Sequence, residues 1–305
     1  MNQTPAYLFQ TSVPVSMRNV LLHLRIPFSL FLLPVFLFAL SQVPSASPSR
    51  AWWAFVLIHL FLYPASNAYN SYYDKDEGSI GLLEVPPPVS PGLLVTAWAL
   101  DIAAIALALL LGLGTPFVLY LLIYGFISKA YSHPAIRLKK YPLLSWLIVG
   151  LFQGALTYLA TIQVLSQSEI PSLFSVQYLL PALICTSNLW AVYPLTQVYQ
   201  HDEDARRGDL TYSRMVGIQG TFLNAAVFFS ISFAGFLYYF LHYGSVNSLI
   251  VLTVCMGPVL GYFAYWWRLV HKNPGEANFR HTMRMNVLAS LGLNLFFGIL
   301  CLYTL

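Results

Sequence analysis

Long apolar stretches alternate with short polar segments along the whole chain. A helix that crosses a hydrocarbon core of about 30 Å needs about 20 predominantly apolar residues. Stretches of this kind recur often enough to predict nine transmembrane helices. They lie near residues 18–42, 51–74, 91–112, 115–132, 143–165, 177–200, 220–242, 246–270 and 282–304. We therefore expect an all-α, polytopic membrane protein that forms a single domain over residues 1–305.

The composition supports this class of protein. Hydrophobic residues make up 58% of the 305 positions and charged residues 9%, whereas soluble domains carry about 25% charged residues. Trp52, Trp53, Trp266 and Trp267 stand at predicted helix ends, which is typical of anchors at the membrane interface. We expect the lipid bilayer as a partner, and neither a nucleic acid nor an obligate protein partner.

The basic residues predict the orientation, because Lys and Arg are enriched in segments that stay in the cytoplasm. With the N-terminus inside and nine helices, 14 of the 15 Lys and Arg residues are cytoplasmic and only Arg50 lies outside. The same topology puts the C-terminus outside. Nine of the 11 carboxylates are also cytoplasmic, the exceptions being Asp101 and Glu169. We expect a multi-pass protein of the bacterial cytoplasmic membrane, with its chemistry at the cytoplasmic face.

One polar pattern occurs twice. Residues 63–78 and 193–208 both read Tyr-Pro-x-Ser/Thr-Asn/Gln-x-Tyr-Asn/Gln-x-x-x-Asp-x-x-x-Gly. Both copies end predicted helices that run in the same direction, so the pattern indicates a parallel repeat with a site between two halves. Pro64 and Pro194 stand about ten residues before the aspartates, where a proline kinks a helix and opens space. We expect a central cavity between two kinked helices.

Helical periodicity brings the polar residues of each copy onto one face. In the first copy this face carries Asn67, Asn70 and Asp74, and Gly78 lies on the same stripe. Asp76 points to the opposite side unless the helix unwinds near Gly78. The second copy repeats the stripe with Gln197, Gln200, Asp204 and Gly208.

Carboxylates and amides beside basic residues suit a magnesium–phosphate ligand. Mg²⁺ takes hard oxygen donors, keeps several waters, and typically binds one or two carboxylates plus substrate phosphates. Arg137 and Lys139 follow the fourth predicted helix, and Arg206 and Arg207 stand in the second copy. These groups can donate charge-assisted hydrogen bonds to phosphate oxygens. A diphosphate with a long apolar tail fits both this polar end and the apolar, aromatic-rich bundle.

The first copy resembles a motif of the UbiA superfamily of intramembrane prenyltransferases. The family pattern Asn-x-x-x-Asp-x-x-x-Asp is matched by Asn70 and Asp74. Gly78 stands at the position of its last acid, for which Asp76 is the candidate substitute. Asn67 resembles the first Asn of Asn-x-x-Asn-Asp, the motif of the menaquinone-type branch.

The second copy resembles the other family motif, usually Asp-x-x-x-Asp followed by Gly and Thr. Asp204, Gly208 and Thr211 match it. Gln200 stands at the first acid, with Asp202 as the candidate substitute. Two further stretches are similar to family sequences: Arg-Ile-Pro-Phe at 25–28 and Tyr-Ser-His-Pro-Ala-Ile-Arg-Leu-Lys at 131–139. The resemblance covers nearly the whole chain.

The resemblance implies nine helices around a central cavity that opens to the cytoplasm. It also implies transfer of a prenyl group from a prenyl diphosphate to a small aromatic acceptor, in quinone or related lipid or pigment biosynthesis. One or two Mg²⁺ ions would bind between Asp74 and Asp204, with Asn70 and Gln200 as neutral oxygen donors, and these four residues would be catalytic. The substrate-binding residues would be Asn67, Gln197, Arg25, Arg137, Lys139, Asp202 and Asp76.

Two other functions remain open. A transporter of an anionic or lipidic solute would use the same cavity without chemistry, and a UbiA-type terpene cyclase would need no acceptor. Transporters bind coupling ions near the bilayer midplane. Here nine of the 11 carboxylates lie on the cytoplasmic side, and Asp101 is the acid that lies deep in a predicted helix. This distribution favours the enzyme. Asp101 itself is either a functional group within the membrane or half of a local hydrogen-bonded pair.

Overall fold

The structure is a computed structural model and describes residues 17–304. Over these residues the chain folds into α-helices joined by short connections, with one isolated β-bridge between Ile80 and Leu83. The helices are α1 Met17–Leu24, α2 Leu33–Ser41, α3 Pro48–Val56, α4 Tyr63–Asp74, α5 Pro91–Leu110, α6 Thr115–Ser132, α7 Pro142–Gly150, α8 Thr157–Ser166, α9 Val176–Leu195, α10 His201–Arg207, α11 Tyr212–Tyr243, α12 Val246–Lys272 and α13 Phe279–Thr304.

Several helices join into longer runs through turns of another helical type. The π-helical turn Leu57–Leu62 connects α3 to α4, and Leu151–Leu156 connects α7 to α8. Within residues 17–304, six runs are long and apolar enough to cross a membrane, and they are Pro91–Leu110, Pro142–Ser166, Val176–Arg207, Tyr212–Tyr243, Val246–Lys272 and Phe279–Tyr303. The pair Met17–Phe31 and Leu33–Ser41, bent by 43°, makes a seventh if it is one span.

Helices also cover the predicted stretches 51–74 and 115–132. Neither of these two helical stretches is both long enough and apolar enough to count among the runs named above. The polar residues of the first motif lie in one of them, so the same side chains that suggest a site reduce the apolar signal of that helix.

The bundle closes on itself. Helix α4 packs against α5 and α6, α9 packs against α7 and α11, and α12 packs against α13. The last helix, α13, returns to pack against α2. At this junction the fully buried Phe38 stacks on Phe297 at 4.4 Å and contacts Tyr158 and Phe236 at 5.4 and 5.8 Å. Aromatic packing of this kind adds to simple area burial, so the cluster fixes α2, α8, α11 and α13 together.

The two copies of the repeat differ in backbone conformation. In the first copy Pro64 stands at the start of α4, and the helix runs without a break to Asp74. In the second copy α9 ends at Leu195, the 3-10 turn Val198–Gln200 follows, and Asp204 lies in the separate short helix α10. The prediction of one regular helical stripe therefore describes the first copy and is wrong for the second.

Pro194 removes one backbone hydrogen bond just before the break in the second copy. Its ring nitrogen carries no hydrogen, so it cannot donate to the carbonyl of Trp190, one helical turn earlier. That carbonyl instead accepts hydrogen bonds from Trp146 Nε1 at 3.0 Å and from Asn224 Nδ2 at 2.8 Å. Side chains of two neighbouring helices thus satisfy the freed carbonyl, and the chain can leave the helix without an orphaned polar group.

Asp101 pairs with Lys129 and thereby links α5 to α6. Both side chains are buried. The ammonium of Lys129 also lies over the rings of Tyr69 and Trp98, at 5.2 and 4.9 Å from their centroids. Of the two alternatives for this deep acid, the local hydrogen-bonded pair is confirmed.

The prediction that Trp266 is an interface anchor is wrong. The side chain is fully buried, and its indole nitrogen donates to the carbonyl of Glu276 at 2.8 Å. It packs edge-on against Phe222 of α11. Trp52, in contrast, is 60% exposed, as expected for an anchor.

Candidate active site

A cavity of about 260 Å³ lies where the two motif-bearing segments face each other. The first copy of the repeat lines it with Asn67, Asn70 and Asp74. The second copy lines it with Gln197, Gln200 and Asp204. Three other predicted site residues also line it, and these are Arg25, Asp76 and Lys139. Arg137 and Asp202 do not belong to the lining.

Asp76 reaches the cavity because α4 ends early. Lys75 adopts a left-handed conformation with φ 48°, and its N–H donates to the carbonyl of Ser71 at 3.0 Å. The chain therefore turns directly after Asp74. Asp76 can join the site only if the helix unwinds, and the chain unwinds already at Lys75.

Three residues beside the cavity have strained backbones. Arg25, Lys75 and Arg137 all have left-handed φ angles, of 45°, 48° and 46°. For a residue other than glycine this conformation costs roughly 1–3 kcal/mol, and it persists where the surroundings over-determine it, commonly at active sites. Leu82 and Gln167 are the other described residues of this kind, so such strain is not confined to the cavity.

Hydrogen bonds hold the first motif in place. Asn70 Nδ2 donates to Asp74 Oδ2 at 2.5 Å and to Ser132 Oγ at 2.8 Å. The buried guanidinium of Arg25 donates to the backbone carbonyl of Asn67 at 3.4 Å and to Asn70 Oδ1 at 3.5 Å. The Asn70 amide is thereby oriented with its oxygen toward the Arg25 guanidinium and its nitrogen toward Asp74.

Asp209 organises the basic residues, and sequence reasoning missed it. Arg137 donates to both of its carboxylate oxygens, at 2.9 and 2.7 Å, and Lys139 Nζ lies 3.4 Å from Oδ2. Burial alone would raise the pKa of Asp209, but the hydrogen bonds from Arg137 and the charges of Lys139 and Arg137 lower that pKa below its ordinary value. Arg137 is therefore occupied by Asp209 and does not reach into the cavity. The signal that could have found Asp209 is its position next to the motif glycine, Gly208.

The residues of the second motif make contacts outside their own helix. Asp204 Oδ2 accepts a hydrogen bond from Thr211 Oγ1 at 3.1 Å. Gln197 Oε1 accepts from the backbone N–H of Ser213 at 3.2 Å. These contacts fix α10 against the start of α11, and they leave the other oxygen of Asp204 without a hydrogen bond from the described residues.

The acid that contacts the first motif is Glu203, which sequence reasoning also missed. Asp202, the candidate substitute acid, is exposed. The buried Glu203 accepts hydrogen bonds from the backbone N–H groups of Glu77 at 2.9 Å and Gly78 at 3.2 Å. It also pairs with Arg207 at 2.6 Å. A glutamate four residues before an arginine on a helix is the signal that could have found it.

Aromatic residues and a second, apolar cavity extend the site away from the carboxylates. The hydroxyls of Tyr131 and Tyr193 lie 2.7 Å apart in the wall. A second cavity of about 120 Å³ shares Phe28, Tyr193 and Thr196 with the first. Its other lining residues are mostly apolar and include Leu32, Val35, Leu189, Leu293 and Phe297. The site therefore has a charged end and an apolar end.

The donor set at the charged end fits a Mg²⁺ ion that shares its ligands with a substrate. Asp74 and Asp204 offer carboxylate oxygens, and Asn70 and Gln200 offer amide oxygens, which are the hard donors that Mg²⁺ prefers. Within the described range 17–304, no three or more His, Cys, Asp or Glu side chains form a group that could hold a metal by themselves. The residues thus suit an ion completed by water and phosphate oxygens.

A model of the UbiA prenyltransferase family matches residues 31–288. The chain belongs to this family. It is accordingly a multi-pass membrane enzyme of the prenyltransferase class, and the alternative of a transporter is set aside. No curated protein sequence matches the chain.

Solved structures share the fold of this UbiA-family enzyme. A UbiA homologue from Archaeoglobus fulgidus bound to DMAPP and Mg²⁺ has a TM-score of 0.66 at 18% identity, over 92% of this chain and 99% of that chain. The structure of a UbiA homologue from the same organism bound to GPP and Mg²⁺ gives 0.63 at 20% identity, with 92% and 99% coverage. A structure of digeranylgeranylglyceryl phosphate synthase in membranes gives 0.61 at 14% identity, with 94% and 98% coverage. The UbiA-like fold is confirmed.

Proposed function

We propose that the chain transfers a prenyl group from a prenyl diphosphate to a small aromatic acceptor in the membrane, with Mg²⁺ as cofactor. One observation carries this proposal: Asp74 and Asp204, from the two copies of the repeat, line one cavity together with Arg25 and Lys139. The homologues from Archaeoglobus fulgidus support it, because their structures hold DMAPP or GPP with Mg²⁺.

The diphosphate head would bind at the charged end of the cavity. Asp74, Asp204, Asn70 and Gln200 would hold the metal, and bound Mg²⁺ would neutralise the charge that develops on the departing diphosphate. Lys139 would donate to the phosphate oxygens. Arg25 and the polar lining residues Asn67, Gln197 and Asp76 would surround the head. Arg137 has a positioning role, because it orients Asp209, which in turn lies 3.4 Å from Lys139 Nζ.

The isoprenoid tail would extend into the apolar cavity. When the carbon–oxygen bond breaks, its electron pair leaves with the diphosphate and an allylic cation remains. The ring faces of Tyr131, Tyr193 and Phe28 can stabilise that cation through their quadrupoles. A carbon of the acceptor ring would then form the new bond, and the ring would lose a proton to the released diphosphate, which restores aromaticity. Such an acceptor belongs to quinone or related lipid or pigment biosynthesis.

We further propose that residues 1–305 form one domain with nine transmembrane helices. Residues 48–74 and Thr115–Ser132 would cross the membrane in addition to the six apolar runs and the bent pair, taken as one span. The N-terminus and the motifs would face the cytoplasm and the C-terminus the outside, since 14 of 15 basic residues then lie inside. The bacterial cytoplasmic membrane is the location that this topology favours.

A turnover assay tests the proposal. The purified enzyme in nanodiscs would be given prenyl diphosphates of increasing length together with a membrane lipid extract, in Mg²⁺ or in EDTA. We expect diphosphate release and a prenylated product by mass spectrometry in Mg²⁺ alone. Asp74→Asn should reduce turnover about 100-fold or more, the scale of losing one charge-stabilising group.

Asp202→Asn is the matched control, because it changes the same type of residue in the second motif at an exposed position outside the lining. Full activity of Asp74→Asn would contradict the assigned site. A product that forms without any extract would instead identify a cyclase.

A further inference from the structure

Residues of the second motif form hydrogen bonds with residues 75–79, at the end of the first motif. Glu203 accepts hydrogen bonds from the N–H groups of Glu77 and Gly78, at 2.9 and 3.2 Å. Arg207 donates to Asp76 Oδ1 at 2.5 Å and to the carbonyl of Lys75 at 3.1 Å. Gln200 Nε2 donates to the carbonyl of Ser79 at 3.2 Å. We call the three residues Gln200, Glu203 and Arg207 the clasp, and residues 75–79 the clasped segment.

The clasp accounts for both departures from the family motifs. At Gly78, where the first motif would carry its last acid, an added Cβ would lie 2.6 Å from Glu203 Oε2. A side chain there would require the Glu203 carboxylate to move. At Gln200, where the second motif would carry its first acid, the amide donates a hydrogen bond, which an ionised carboxylate cannot do. Both acids are therefore replaced by groups that join the two motifs directly.

The clasp also occupies the remaining acids near the cavity. The Arg207 guanidinium pairs with Asp76 at 2.5 Å and with Glu203 at 2.6 Å, and these side chains are only 19%, 11% and 10% exposed. Each oxygen of Glu203 already accepts a backbone hydrogen bond. A second divalent ion at this place would have to share both carboxylates with a mostly buried guanidinium that already carries the compensating charge. Asp74 and Asp204 are the lining carboxylates that do not pair with Arg207; Asp74 instead lies 2.7 Å from the ammonium of Lys139.

We infer that the enzyme binds one Mg²⁺ per prenyl diphosphate, between Asp74 and Asp204, and that Arg207 supplies at Asp76 and Glu203 the positive charge of a second metal. This inference rests on the proposed function. It has a structural corollary: the two motifs are joined by protein contacts, so their relative position does not depend on bound metal.

Counting bound Mn²⁺ tests the inference without any turnover. Purified protein in nanodiscs would be titrated with Mn²⁺ in the presence of saturating geranyl thiolodiphosphate, a substrate analogue with sulfur at the scissile position. Free Mn²⁺ would be followed by its electron paramagnetic resonance signal. We expect one Mn²⁺ per chain. Two per chain would overturn the inference, whereas none per chain would show instead that the proposed metal site is wrong.

Variants test whether the second ion is excluded by the charge of Arg207 or by positive charge elsewhere on α10. In Arg207→Gln the acids Asp76 and Glu203 lose their shared cation, so we expect the count to rise to two. Arg206→Gln removes the same charge from an exposed neighbour on α10 and should leave the count at one. A count of one in Arg207→Gln would overturn the assigned role of Arg207. Asp76→Asn should keep one Mn²⁺ in a folded protein, and loss of that ion would show that Asp76 is a ligand.

Hydrogen exchange tests the corollary. In EDTA we expect the amides of Glu77 and Gly78 to be protected, because Glu203 accepts their hydrogens in the protein alone. Glu203→Ala should raise their exchange rates at least tenfold while the amides of α12 stay unchanged. Rapid exchange of the wild-type amides in EDTA, with protection only after metal and analogue are added, would overturn the corollary.

Discussion

The ammonium of Lys139 lies 2.7 Å from Oδ1 of Asp74, and the two side chains are 9% and 5% exposed. The same ammonium is 3.4 Å from Oδ2 of Asp209. One cation thus connects the first motif to the segment that follows the second. An ammonium has three donors, so Lys139 can contact a phosphate oxygen in the cavity while it keeps its carboxylate partners.

The first prediction concerns this lysine. Lys139→Gln should raise the KM for the prenyl diphosphate about 10- to 100-fold, because a hydrogen bond to a charged group contributes about 1.5–3 kcal/mol. Lys140→Gln changes the same residue type at the next, exposed position and should have little effect. Steady-state kinetics at saturating Mg²⁺ would measure both. Equal losses in the two variants would indicate a general effect of positive charge rather than a contact.

The second prediction concerns pH. The pKa of Asp209 is lowered in the folded protein by Arg137 and Lys139, against the effect of burial. Its stabilising contribution is therefore complete above the unfolded pKa of about 3.9, and it is lost as the pH falls through the lower, folded pKa. In Arg137→Gln the pKa of Asp209 should shift upwards, so the stability that Asp209 adds at neutral pH should be missing and the variant should lose less stability than the wild type on acidification. Thermal unfolding between about pH 3 and 6 would show the shift.

A suitable control for that experiment is Arg268→Gln, which removes a charge from an exposed position on α12. Identical acid profiles for Arg137→Gln and the wild type would contradict the role given to the Arg137–Asp209 pair.

The third prediction concerns the space around Gly78. Gly78→Ala would bring a Cβ to 2.6 Å from Glu203 Oε2, so the clasp must move, and overpacking of this kind typically costs about 1–3 kcal/mol. Gly257→Ala is the matched control, because nothing lies within 4 Å of an added Cβ in that helix. It should stabilise the protein by about 0.5–1 kcal/mol, as alanine does in place of a helical glycine. Melting temperatures that move in the same direction would refute the steric argument.

The fourth prediction concerns the neutral donor of the second motif. Gln200→Asp places a carboxylate among the lining residues, and an added negative charge should strengthen Mg²⁺ binding about tenfold. The same change removes the hydrogen bond to Ser79, so the clasped segment should exchange its amides faster. Gln167→Asp adds the same charge at an exposed position that is not in the cavity lining and should change neither property. A weaker apparent Mg²⁺ affinity in Gln200→Asp would mean that this side chain faces away from the metal.

The sequence predicts the first copy of the repeat better than the second. Asn67, Asn70 and Asp74 follow the periodicity of a regular helix, and α4 is regular over these residues. The second copy has the same pattern, but its helix breaks at Pro194. The break depends on Trp146 and Asn224, which lie 44 and 34 residues from the carbonyl they satisfy. Periodicity within one stretch contains no information about such partners.

Distance along the chain also explains the residues that sequence reasoning missed. Asp209 acquires its role from Arg137, 72 residues away, and Glu203 from Glu77, 126 residues away. Neither acid has a pattern of its own. Arg137 and Lys139 look equivalent in the sequence, yet one side chain turns to Asp209 and the other lines the cavity. Only the fold decides between two basic residues on the same short turn.

The break at Pro194 makes the two walls of the charged end unequal. One wall is the continuous helix α4, and the other is a 3-10 turn followed by the short helix α10. A diphosphate group is nearly symmetric about its bridging oxygen, but a cradle with unequal walls is not, and the apolar cavity opens on one side of it. Duplicated residues thus provide matched donors on walls of unequal backbone, and a bound diphosphate would meet a different surface on each side. We expect the end that carries the hydrocarbon to point toward the apolar cavity.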